Sequence, residues 1–205
     1  MTIELERLLP LTGILSVVLL VFGGVLVTSA FAYWITPEQA LEAFNRDPAR
    51  IQRGALLAGF YAAVLFILFA GSLISALRAH EGPSGPFTPI ALAGATLCAI
   101  ALAIGYGALW VAATRASRPE GITPDYAVVY NDLYSVLLAN VATIGLAALI
   151  GATGLVSLRT GLFPTWLGWV SVAFAVGLMT PLHWIFEGLA LVWIIAVSVL
   201  LYLQG

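Results

Sequence analysis

Apolar residues in this chain come in blocks long enough to cross a bilayer, separated by short stretches where Arg, Asp, Glu, Gly and Pro gather. A helix needs about 20 predominantly apolar residues to traverse a hydrocarbon core of about 30 Å. The pattern predicts six such helices, over about 11–34, 48–78, 89–114, 124–157, 164–180 and 182–203. Residues 1–205 then form a single transmembrane domain, an all-α polytopic bundle, and no polar stretch is long enough for an appended soluble domain. The first block ends in a small-residue triplet, Ala30-Phe31-Ala32, that looks like a cleavage site. It starts net negative, with Glu4, Glu6 and Arg7, and exceeds the 7–15 apolar residues of a signal peptide, so retention as a membrane helix is expected.

The connections carry their own signals. Thr36, Pro37 and Gln39 read as an N-cap, a first-turn proline and a capping-box partner, and Leu41 and Phe44 share a face. This predicts one short interfacial helix in the first loop, after which Asp47-Pro48 opens the second span. Gly82, Pro83, Gly85 and Pro86 predict a turn, and Thr123-Pro124 caps the fourth helix. At 34 residues the fourth span would measure about 51 Å, so its first turns should project from the membrane or tilt. Small residues recur every fourth position at Ala91, Ala95, Ala99, Ala103 and Gly107, and again at Thr143, Ala147 and Gly151. Such ladders let helices approach closely, and the third and fourth spans are expected to meet along them, with a self-dimer through the first ladder as the competing reading.

Composition sharpens the picture. Hydrophobic residues make up 61% and charged residues 9%. Roughly 25% charge is usual in a soluble domain, so a water-exposed globule is excluded. There is no lysine for Schiff-base chemistry. A single cysteine, Cys98, rules out an intramolecular disulfide or thiolate cluster and reads as packing, and two histidines, His80 and His183, are too few for a multi-histidine metal or haem site in one copy. No metal or cofactor is expected. A net charge of −2 gives no reason to expect nucleic acid; the expected partners are membrane lipid, a small amphiphilic ligand, and a second copy or another membrane protein.

The run Gly161-Leu162-Phe163-Pro164-Thr165-Trp166-Leu167-Gly168-Trp169 resembles a G-x-F-P-x-W-L-G-W signature of small bacterial six-span membrane proteins of unknown function. The resemblance covers about ten residues, where the signature joins the fourth and fifth spans, and it transfers no catalytic residue. It implies a bacterial cell membrane with both termini cytoplasmic. Five arginines in the odd loops against three elsewhere lean the other way by the positive-inside rule, and the resemblance is preferred over that small difference. Proline at a helix start and tryptophans at the headgroup level also explain the motif on physical grounds alone.

Polar groups inside membrane spans are functional candidates by default. Asp132 and Asn140 should share a face of the fourth helix, with Asn140 about 12 Å deeper and hydrogen-bonded to another helix. His183 and Glu187, four apart, should share a face at the start of the sixth. Loops one, three and five lie on one side, where Tyr33, Trp34, Tyr106, Trp110, Tyr126, Tyr130, Tyr134 and Trp184 also gather. An aromatic belt would account for several of these rings. The preferred reading is a polar, aromatic-lined vestibule that binds or transports a small amphiphile or lipid, formed by Asp132, Asn140, His183, Glu187, Tyr130, Tyr134, Trp110 and Trp184. Two other classes remain open: a non-catalytic accessory or scaffolding subunit joined through the small-residue ladders, and an intramembrane enzyme using His183 with Glu187 and Asp132.

Overall fold

A computed structural model describes residues 7–28 and 35–204. Every regular element among them is a helix: α1 (Leu9–Val27), α2 (Pro37–Arg46), α3 (Pro48–Glu81), α4 (Phe87–Ala116), α5 (Pro124–Thr160), α6 (Thr165–Leu178) and α7 (His183–Gln204). Five of these, α1, α3, α4, α5 and α7, are long and apolar enough to cross a membrane, while α6 is apolar but has only 14 residues. Large side chains such as Phe22, Phe60, Ile67 and Val192 stand more than half exposed on the bundle's flanks, a surface suited to acyl chains rather than water. The chain is an integral, multi-pass membrane protein. The end of the first expected span, with Tyr33 and Trp34, lies outside the described residues.

Capping chemistry sets several boundaries as expected. Thr36 and Gln39 form both halves of a capping box, at 3.3 and 2.9 Å, and the Arg50 backbone N–H donates to Asp47 Oδ1 at 2.9 Å. Thr123 holds the N-cap position of α5, but its side chain makes no capping bond. The third span gains a cap that the sequence pattern does not show. The Glu81 carboxylate, at the end of α3, takes the N–H groups of Phe87 and Thr88 and the Thr88 hydroxyl at 2.6–2.9 Å, satisfying the first turn of α4 across the Gly82–Pro86 turn.

Helix α2 buries Ala40, Ala43 and Phe44 and packs on the first turns of α5. One side of the first turns of that 37-residue helix is thus packed against protein. Two long helices are not regular throughout: α3 widens into a π-helical turn over Leu56–Tyr61, and α5 does the same over Leu137–Ala142.

Helices cross where glycine meets glycine. A Cβ on Gly23 would sit 2.6 Å from the Gly54 carbonyl oxygen, fixing α1 against α3. One on Gly94 would sit 2.5 Å from the Gly145 oxygen and 2.7 Å from the Leu149 nitrogen, fixing α4 against α5. One on Gly154 would lie 2.8 Å from the Gly168 oxygen, fixing α5 against α6. Those contacts are with backbone, so no side-chain rotation relieves them. The third and fourth spans therefore meet as expected, but not along the expected ladders. Ala95, Ala99 and Ala103 line a groove between α3 and α4, Gly107 faces open space, and Ala147 and Gly151 face α6.

Several positions of the signature run have a structural role. Gly161 ends α5 in the left-handed region (φ 74°), Leu162 and Phe163 drop into the core, and Gly168 supplies the close crossing. Trp166 and Trp169 point outward, more than 60% exposed. A buried hydrogen bond from Trp193 Nε1 to Ser171 Oγ (2.7 Å) ties α6 to α7.

The arrangement has two distinct ends. Arg7 lies over the Tyr202 ring, Arg159 over Phe87, and Gln204 Nε2 donates to the Leu162 carbonyl, gathering both ends of the described chain at one end with the two tight turns. Helix α2, the start of α3, the end of α4 and the start of α5 form the other end, where α7 also begins.

Candidate functional site

Within the half nearer α2, the bundle does not close. Helix α7 packs on α1 and α6 but only lightly on α5, and a half-open cavity of about 320 Å³ lies in the gap. Helix α1 contributes Ser16, Val17 and Leu20; α4 contributes Cys98, Leu102 and Tyr106; α5 contributes Tyr134, Leu138, Thr143 and Leu146. The α7 wall runs from Trp184 through Glu187, Gly188 and Leu191 to Ile194, ten residues or about 15 Å along the axis. The volume is in the range of about 300–1,000 Å³ common for small-molecule sites.

One polar contact spans the gap. The Thr143 hydroxyl donates to Glu187 Oε1 at 2.5 Å. Thr143 Oγ1 also lies 3.3 Å from the Leu138 carbonyl, five residues back, a spacing that the π-helical turn of α5 creates. Thr143 is buried and Glu187 half-buried, and no other hydrogen bond or ion pair to Glu187 occurs among the described residues. Nearby, the rings of Tyr106 and Tyr134 meet edge to face with centroids 5.2 Å apart, and Trp184 stands at the mouth, 65% exposed. Ser16, at the opposite wall, is buried and donates to the Ala62 carbonyl just after the π-helical turn of α3.

The single vestibule expected from the sequence is thus divided. Glu187, Tyr134 and Trp184 line the central cavity. Asp132 and Asn140 do share a face, but it lines a separate outer groove with Ile35, Val128, Ser135 and Ala139. Both are exposed, and the Asn140 amide donates to the Val136 carbonyl of its own helix at 3.3 Å instead of to another helix. His183 shares the start of α7 with Glu187 but is not in the cavity wall, and no ion pair joins the two. Of the three tyrosines spaced four apart at the start of α5, Tyr126 is exposed, Tyr130 packs half-buried against the core, and only Tyr134 reaches the cavity. Trp110 is 40% exposed and outside it. No group of three or more His, Cys, Asp or Glu side chains comes together among the described residues.

Sequence reasoning passed over Thr143, taken only as a ladder position, and Ser16. Ser16 is a hydroxyl in the middle of an otherwise apolar run, a signal that could have marked it. The pairing of Thr143 with Glu187 had no such signal, since it depends on which face the π-helical turn presents.

The fold and cavity define a class: a helical membrane protein with a pocket between its helices that carries one carboxyl group among the described residues. Compared with known proteins, the chain matches no family model, no curated protein and no solved structure.

Proposed function

We propose that this protein binds a small amphiphile in the cavity between α1, α4, α5 and α7, and in doing so carries it or presents it within the membrane. The observation that carries the reading is the apolar, half-open cavity whose wall holds a carboxyl group anchored by a single hydroxyl. Ligand sites combine apolar walls with few convergent polar groups, and an ionisable side chain in a membrane span is costly, which makes it a functional candidate. Glu187, Thr143, Tyr106, Tyr134 and Trp184 form the polar and aromatic end of the site, and Leu102, Leu146, Leu191 and Ile194 take the apolar part.

The same reading has six membrane crossings, with α6 as the fifth of them and α2 at the membrane surface. The resemblance of 161–169 to the bacterial six-span signature supports this and favours a bacterial cell membrane with cytoplasmic termini. Asp132, Asn140 and His183 then belong to the interface rather than to the ligand.

Native mass spectrometry of protein gently extracted from its own membrane tests the reading. A retained small molecule at one per chain is expected, lost in Glu187→Gln and in Leu191→Trp, which fills the cavity. Wild-type protein that retains nothing, or retains the same molecule in both variants, overturns it. A second reading, an accessory subunit, is favoured by the groove of about 500 Å³ between α3 and α4, floored by Ala95, Ala99 and Ala103 and open along exposed Phe60 and Ile67. A helix of a partner would fit there, and a reproducible partner lost in Ala99→Leu or Ala103→Leu would support it.

A further inference from the structure

Among the residues lining the cavity, Glu187 is the one acidic side chain, and no arginine or histidine accompanies it. Its Oε1 is held by Thr143, while no protein donor reaches its second oxygen among the described residues. A carboxylate in apolar surroundings is expensive unless it is paired, and the described residues lining the cavity include no cation to pair it. Three aromatic side chains lie around the same cavity, Tyr106, Tyr134 and Trp184, the first two in edge-to-face contact. Aromatic faces attract cations, and most of all alkylated ammonium groups whose weak hydration makes them cheap to bring out of water.

We propose that the ligand is a cationic amphiphile, an alkylammonium whose head group rests on the free oxygen of Glu187 and against these rings, with its chain along Leu102, Leu146 and Leu191. This rests on the reading of the cavity as an amphiphile site and adds the sign of the charge. The Thr143 bond orients the carboxylate so that its unused oxygen remains available, and the apolar remainder of the cavity receives the chain. A neutral ligand would leave the carboxylate without a counter-charge, and an anionic one would oppose it directly.

The experiment uses the full chain in lipid nanodiscs, titrated calorimetrically against empty discs with three probes of similar length: hexyltrimethylammonium, 1-hexanol and hexyl sulfate. The expected result is saturable binding of one hexyltrimethylammonium per chain, at least tenfold tighter than hexanol, with no binding of hexyl sulfate. Glu187→Gln should remove that preference, bringing hexyltrimethylammonium down to the affinity of hexanol in the same variant. Leu191→Trp should abolish binding of both. Equal affinity for hexanol and hexyltrimethylammonium, or a preference for the sulfate, overturns the cationic assignment and leaves the amphiphile site standing. A preference that Glu187→Gln leaves intact also overturns it. Failure of every probe to bind overturns the site itself.

Discussion

Thr143 and Glu187 make one hydrogen bond between two helices that otherwise hardly touch. Removing the Thr143 hydroxyl without changing its shape, by Thr143→Val, leaves the half-buried Glu187 carboxyl with no protein donor, a loss of about 0.5–1.5 kcal/mol, the net worth of one hydrogen bond. Thr143→Ser should keep most of the stability. Reversible unfolding in mixed micelles checks this, and equal stability of the two variants would show that the hydroxyl is incidental. At this scale the sequence was partly legible. Glu187 stands out as an acid in an apolar run, and the eight-residue spacing of Asp132 and Asn140 placed them on a common face, as the groove they share shows. The partners were not legible. Periodicity says which residues share a face but not which helix that face meets, so Asn140, bonded to its own backbone, and Glu187, bonded to Thr143, both departed from the expected pairings.

At the scale of elements, the small-residue ladders show how a period can mislead. Steps of four residues advance about 400° on a helix of 3.6 residues per turn, so each step drifts about 40° and a ladder of four steps turns about 160°. Ala91 to Gly107 therefore cannot face one neighbour throughout: Ala95 to Ala103 border the α3–α4 groove, and Gly107 faces open space. The tyrosines 126, 130 and 134 drift in the same way, from exposed to cavity-lining. The π-helical turns of α3 and α5 each insert an extra residue into the helical phase, and no residue type announces them. The real α4–α5 seam runs through Gly94 and Gly145. Gly94→Ala should therefore destabilise the protein by about 1–3 kcal/mol, because its Cβ meets backbone that cannot give way. Ala103→Leu, on an exposed position, should leave stability within about 0.5 kcal/mol. The same unfolding assay separates them, and equal effects would mean that the Gly94 crossing relaxes freely.

For the whole molecule, the proposed reading makes α6 a sixth crossing. Its 14 residues rise about 21 Å, short of a hydrocarbon core of about 30 Å, so the helix needs its flanking turns or a locally thinner bilayer to span. Packing supports the proposed crossing. The Gly154–Gly168 crossing and the Trp193–Ser171 hydrogen bond hold α6 between two membrane-length helices, and the Gln204–Leu162 and Arg7–Tyr202 contacts bring the C-terminal turn of α7 to the end where α1 begins. A helix that dipped in and returned would send α7 the other way and separate those pairs by the thickness of the membrane. With Cys98 replaced by alanine, single cysteines at Ser84, Glu120, Leu182 and Gln204 can be labelled in sealed vesicles by a maleimide that does not cross the bilayer. Ser84 and Gln204 should react from one side, Glu120 and Leu182 from the other. Reaction of Leu182 together with Ser84 would make α6 a re-entrant segment and turn α7 over in the membrane. The cavity would then have to be rebuilt from a different set of facing helices, because Glu187 and Thr143 come within a hydrogen bond of each other only if α5 and α7 both start from the end that α2 covers.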